Sequence, residues 1–322
     1  TLSAPGSIVN TALLYAANNL ALYANSITNQ RGDMLAGNNL SMQRDAAGNA
    51  NSEVVNTSGN IETQSGDITI RTGHLLNQRD GLTVSTTQSA NASGSPPYID
   101  VPVATIDKDK LKYAEIEECH VGGGGQSGSR DICTKRYVFG FENNVDVKNI
   151  ILNQTAVVVT ADGGAALISA SKDINIQSDR LDNKTSNILA GKNINLSGGQ
   201  LNNESIQAGK TTTALEYQYR CTSNCYKGRL YKLPVDKSVP DFLDKIKQTK
   251  ASLRYQLLSG AVTTEEKGDL YRAVIQAGGN VTANFSSNIS NETTTSHAGG
   301  VSGTITAPAL NTLSNQGIGG SV

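Results

Sequence analysis

The chain has 322 residues, a formal net charge of −1, 32 glycines, no tryptophan and only 5% aromatic residues. So even a balance leaves no global electrostatic case for binding nucleic acid or an anionic membrane surface. No run of about eighteen apolar residues exists to span a bilayer, and the few aromatics suit a thin core of Ile, Leu, Val and Ala.

In chain order, the opening TLSAPGSIVNTALLYAANNL lacks the basic start and apolar run of a signal peptide. Neither end reads as a polar capping repeat, so both are expected to be cut from a longer array. Two short words then recur. Leu20-Ala21-Leu22 is followed seven residues on by Ile27-Thr28-Asn29, and Ile68-Thr69-Ile70 seven on by Leu75-Leu76-Asn77. Leu40-Ser41-Met42 and Val54-Val55-Asn56 repeat the words around a polar stretch, Gln43 to Glu53, expected to be a loop. Residues 1–87 therefore read as repeats.

From Ser85 the register is lost, and 88–144 reads as a first insertion. Lys108 to Glu118 is charged enough for a short helix, and Lys135 to Phe141 alternates like a strand. Repeats resume over 145–209, with Ile151-Leu152-Asn153 first. Here the period is plainest: Ile174-Asn175-Ile176 returns as Ile194-Asn195-Leu196 and Leu181-Asp182-Asn183 as Leu201-Asn202-Asn203, each twenty residues later. A fixed period near twenty means a solenoid. Apolar–polar alternation makes its elements strands, and Asn, Asp, Gly and Ser supply the turns. The expected fold is all-β: a right-handed parallel β-helix with an Asn at one corner of each coil, where stacked amides form a ladder. Such an Asn tolerates left-handed backbone. Leucine-rich repeats share the period but need a denser LxxLxL frame.

A second insertion is expected over 210–277. Leu215 to Arg220 and Gly228 to Leu233 alternate around Cys221 and Cys225, as in a hairpin. Phe242, Ile246, Leu253 and Leu257 fall at helical spacing with Gly260 to end the helix. Thr263-x-x-Glu266 forms a capping box for a second helix through Tyr271 and Val274. Residues 278–322 return to the repeat with Val281-Thr282-Ala283 and Ile289-Ser290-Asn291, then run into a Gly/Ser/Thr-rich tail.

Of fifteen Phe and Tyr residues, only Tyr15, Tyr23 and Phe285 belong to the repeats. Aromatics in an insertion serve first as its core, which suits Phe139, Phe141 and Phe242. The tyrosines near arginine are expected at an exposed binding face, since Tyr and Arg dominate protein interfaces: Tyr217, Tyr219, Arg220, Tyr226, Arg229 and Tyr231, with Tyr113 and Tyr137 in the first insertion. All four cysteines also lie there. Cys119 with Cys133 and Cys221 with Cys225 is the local pairing among three connectivities, and disulfides imply an oxidising compartment. Zinc is disfavoured, because His120 beside Cys119 lacks the spacing of structural sites. Gly122 to Gly125 lacks the Lys-Ser/Thr of a phosphate loop, and the repeat aspartates sit at turn words without the facing pair that a glycosidase needs. No cofactor or catalytic residue is expected.

The words LDNKTSNILAGKNINLSGGQLNN and SITNQRGDMLAGNNLSM resemble the filamentous haemagglutinin repeats of two-partner-secreted exoproteins, among them adhesins and the CdiA-type proteins of contact-dependent growth inhibition. The resemblance covers roughly 1–87, 145–209 and 278–295 and does not reach the insertions. It implies a secreted protein displayed on a Gram-negative cell, an outer-membrane transporter as export partner, and a receptor-binding region contacting an outer-membrane protein or surface glycan of a neighbouring bacterium. A monomeric rod is expected. The alternatives are a host-directed adhesin binding glycan or matrix, and a polysaccharide-acting enzyme.

Overall fold

The computed structural model describes residues 1–91, 94–107, 111–122, 130–141, 145–220 and 252–296. These divide into two compact units. The first comprises Thr1–Gln88, Thr155–Thr211 and Glu265–Val322; the second comprises Ser89–Gln154 and Thr212–Thr264.

The first unit is a parallel β-helix. One parallel sheet stacks Leu13–Ala16, Asp33–Ala36, Asn60–Thr63, Leu167–Ala170, Asn187–Ala190 and Val274–Ala277, one strand per coil. The other stacks Leu2–Asn10, Leu20–Gln30, Leu40–Gln43, Asn51–Thr57, Ile68–Gln78, Ile174–Lys184 and the start of Ile194–Arg220. Strands inside the stack, such as Leu20–Gln30 and Ile68–Gln78, bury alternate side chains in a shared core, so like stands on like. Ile27 is in register with Val54, which is in register with Leu75; Leu181 and Leu201 continue that column. In the facing sheet Met34, Ile61, Ile168, Ile188 and Ile275 form another. Most of these side chains are fully buried.

Register also shows where the chain leaves the stack. Leu75 pairs with Leu181, and Leu201 with Ile289. The intervening residues are therefore not coils between neighbours, since adjacent strands must lie about 4.8 Å apart.

The corner asparagines form a ladder. Asn10 donates to Asn29 at 2.9 Å, Asn29 to Asn56 at 2.9 Å, Asn56 to Asn77 at 2.9 Å and Asn77 to Asn183 at 2.8 Å. Asn183 donates to Asn203 at 2.7 Å and Asn203 to Asn291 at 2.8 Å. Three of these amides also close their own turns: Asn29 Nδ2 donates to Gly32 O, Asn56 to Gly59 O and Asn183 to Ser186 O. The left-handed backbone falls two residues after the Asn, at Arg31, Ser58 and Thr185 (φ 53°, 47° and 49°), not on the Asn itself. Asn153 stands outside the ladder and Asn10 within it: Asn153 lies in Val145–Thr160, which is not one of the stacked corner strands.

Where they are described, the two helices expected in the second insertion are strands. Leu253 and Leu257 lie in Ser252–Leu257, and the capping-box sequence lies in Val262–Tyr271. Lys108 to Glu118 contributes strand Leu111–Gly122 instead of a helix. Among the described residues the only helical turn is the 3-10 turn Val103–Thr105. Phe242 and Ile246 lie outside the described residues.

Candidate binding surface

The second unit builds its core by strict alternation. Tyr98–Pro102 runs antiparallel to Ser252–Leu257, pairing Ile99 with Tyr255 and Val101 with Leu253. Ser252–Leu257 pairs in turn with the end of Ile194–Arg220, Tyr217 opposite Leu257. Period-two geometry sends every second residue inward. Val101, Val103, Ile106, Leu215, Tyr217, Tyr219 and Tyr255 make a buried cluster, with Ile99, Ile150, Leu152, Leu253 and Leu257 packed against it. The Tyr219 and Tyr255 rings meet at 5.8 Å and 53°, a tilted geometry favoured by the ring quadrupoles. Two of the buried tyrosines donate their hydroxyls: Tyr217 to Pro96 O at 2.9 Å and Tyr255 to Asp146 Oδ2 at 2.7 Å. Burial, then the Asp146 carboxylate, pushes the Tyr255 phenol far above its ordinary value.

The same alternation sends the intervening residues outward. Tyr98 is 52% exposed. Arg254 binds Asp100 through two nitrogens, Nε to Oδ1 at 3.0 Å and Nη2 to Oδ2 at 3.3 Å, and its guanidinium lies 5.1 Å from the centre of the Tyr98 ring. Both charged side chains are 53% exposed. An ion pair this exposed adds at most about 1 kcal/mol to stability. Its effect is to hold Arg254 and Tyr98 in one geometry. Gln256 and Arg220 are also exposed.

A separate two-stranded sheet completes the described part of this unit. Leu111–Gly122 and Arg130–Phe141 pair antiparallel through twelve residue pairs, and a disulfide joins Cys119 to Cys133. Both cysteines are exposed. The register puts Tyr113 opposite Phe139 and Glu115 opposite Tyr137.

The sequence-derived site divides accordingly. Tyr217 and Tyr219 are 1% and 9% exposed; the expectation that they stand at an open face is corrected, because odd-numbered positions of this strand point into the core. Arg220 points the other way. Tyr113 and Tyr137 lie in the hairpin. Tyr226, Arg229, Tyr231, Cys221 and Cys225 lie outside the described residues. Sequence reasoning missed Tyr98, Asp100 and Arg254. The signal was present in the alternation Tyr98-Ile99-Asp100-Val101 and Leu253-Arg254-Tyr255-Gln256-Leu257, but the latter was absorbed into a helical spacing. Among the described residues no three His, Cys, Asp or Glu side chains gather as metal ligands.

Fold and surface define a class: a parallel β-helix whose sequence is interrupted by two stretches that form a second unit with its own aromatic core. Within that class the chain is homologous, along nearly its whole length, to a region of CdiA proteins. It is 39% identical over 327 residues to the tRNA nuclease CdiA of Escherichia coli O6:K15:H31, covering 98% of this chain and 10% of that protein. It is 40% identical over 345 residues to the 16S rRNA endonuclease CdiA of Enterobacter cloacae (99% and 10%) and 36% identical over 332 residues to the deoxyribonuclease CdiA of Dickeya dadantii (95% and 10%). The chain thus spans about a tenth of the length of these relatives. No family model matches it, and no solved structure does.

Proposed function

We propose that this chain is a non-enzymatic recognition segment of a CdiA-type exoprotein: it binds a receptor on the surface of a neighbouring bacterium, and a toxin carried elsewhere in the full-length protein is delivered. The observation that carries this reading is the second unit. It has a closed aromatic core of its own and an exposed Tyr98–Arg254–Asp100 arrangement, the residue types that anchor protein interfaces. Arg220, Tyr113, Tyr137, Tyr226, Arg229 and Tyr231 join it as contact residues, while Tyr217 and Tyr219 support it from beneath. The relatives add a second argument. They are named for cutting tRNA, 16S rRNA and DNA, yet match this segment at similar identity. A segment shared across three named substrates fits a role common to all three. By the same reading the full-length protein is exported through an outer-membrane transporter and displayed on a Gram-negative cell.

The test is binding of the purified, fluorescently labelled chain to intact bacteria, compared across strains each lacking one outer-membrane protein. Saturable binding that disappears with a single deletion supports the proposal. Binding to animal-cell matrix but to no bacterium would replace it with the host-directed adhesin reading.

A further inference from the structure

We propose that the Cys119–Cys133 disulfide is a thiol-exchange site: an incoming thiolate opens it to a mixed disulfide and then to a dithiol, and the hairpin that carries it stays paired throughout. The site takes thiols as a chemical class. It is independent of the receptor role above.

Access is the first feature that leads there. Both cysteines are exposed, and exchange requires a thiolate to reach one of the two sulfurs. Structural disulfides of secreted proteins ordinarily resist reduction by the glutathione pool, whereas exposed ones are more easily reduced and serve as labile or regulatory bonds.

Register is the second. Cys119 stands directly opposite Cys133, with Cα atoms 3.9 Å apart. Close pairs in an antiparallel ladder, about 4.5 Å against about 5.5 Å, are the ones that exchange no main-chain hydrogen bonds across the pair. Opening the S–S bond therefore removes no backbone bond. The ladder also continues on both sides of the cross-link. Of its twelve pairs, eight run from Leu111 opposite Phe141 to Glu118 opposite Thr134, and three from His120 opposite Ile132 to Gly122 opposite Arg130. A cross-link stabilises mainly by restricting the unfolded chain. In the folded hairpin the backbone already holds the two cysteines together, so after reduction their thiols stay within reach and the bond re-forms as an intramolecular reaction at high effective concentration.

The chemistry balances without a further reagent. A thiolate attacks one Sγ, the S–S bond breaks, and its electron pair leaves on the other Sγ, which takes up a proton. A second thiol then attacks the mixed disulfide. Two thiols are oxidised to one disulfide, and the chain gains two electrons and two protons as a pair of cysteine thiols.

The experiment treats the whole chain with reduced glutathione and, separately, with a CxxC dithiol protein of the thioredoxin class. Free thiols are alkylated and the peptides that carry Cys119 and Cys133 are quantified by mass spectrometry. The expected result is reduction of about half of this bond or more by excess glutathione, with a glutathione adduct trapped on one of the two cysteines and reversal on adding oxidised glutathione. Amide exchange of Leu111–Gly122 should differ by less than about threefold between the oxidised and reduced chains. Cys119→Ser supplies a second reading, because a lone Cys133 should accumulate the adduct as a stable product. Reaction with both reagents marks a site open to proteins; reaction with glutathione alone marks one that admits small thiols only, and either supports the proposal. A bond left oxidised by both, under conditions that fully reduce an accessible reference disulfide, overturns it and leaves a structural staple. Reduction that abolishes the hairpin's amide protection also overturns it, because the bond would then be what holds the strands together.

Discussion

Two side chains show how the first unit uses polar groups inside a stack. Asn77 is fully buried, receives the Asn56 amide and donates its own to Asn183 Oδ1 and Asn187 O. A carboxylate there accepts but does not donate. Asn77→Asp is expected to cost roughly 2–3 kcal/mol in urea unfolding, as a buried acceptor loses its donor, whereas Asn153→Ala, outside the ladder, should stay within about 0.5 kcal/mol. Asp182 is the second case, 2% exposed. Burial pushes its carboxyl up, but donors from Arg180 (2.6 Å), Asn202 (2.8 Å) and His74 (2.8 Å) outweigh it and hold the group below 3.8. A carboxyl depressed in the folded state gives stability that is present above its unfolded value and lost as pH falls through the folded one. Asp182→Asn should therefore lower stability at pH 7 and flatten its decline below about pH 4, measured by thermal unfolding across pH. The Asn corner was legible in the sequence because the amide repeats at coil spacing; the Asp182 cluster was not, because His74 stands 108 residues away and meets it only through register.

At the level of single coils, close approach sets what a turn tolerates. A Cβ on Gly191 would collide with the Ser171 carbonyl of the preceding coil, and Gly278 stands in the same way against Gly191. Backbone atoms that hold the stack do not yield, so Gly191→Ala is expected to cost about 2 kcal/mol or more, read as a lower urea midpoint. Strand elements in the second unit pose the complementary question of inside and outside. Tyr255→Phe removes a buried hydroxyl bonded to Asp146 and should destabilise by about 1–2 kcal/mol; Tyr98→Ala, on the outer face, should change stability little. The elements misread from sequence share a cause. Leu253 and Leu257 are four apart, which suits one face of a helix, but residues of equal parity also share one face of a strand. The pairing that decided between them comes from Tyr98–Pro102, far away in the chain. Repeats carry their neighbours' pattern within the sequence, so each coil could be recognised from the next; a unit assembled from two distant stretches carries no such internal copy.

For the whole chain, two kinds of order serve different ends. The repeats stack aliphatic on aliphatic and amide on amide, a construction that tolerates change if volume and pattern are kept. The second unit concentrates tyrosine, arginine and a disulfide-linked hairpin, where single side chains matter more. Stability and recognition should therefore separate by mutation. The most direct test measures binding of purified chains to intact target bacteria alongside unfolding, comparing Tyr98→Ala with Arg254→Ala, singly and together, against Asn77→Asp. The expected result is at least a tenfold loss of cell binding for the Tyr98 and Arg254 changes with unfolding unaltered, and near-full binding below its lowered midpoint for Asn77→Asp. Unaltered binding after the double change, with loss on disturbing the ladder of a still-folded chain, would place recognition on the β-helix and contradict the reading.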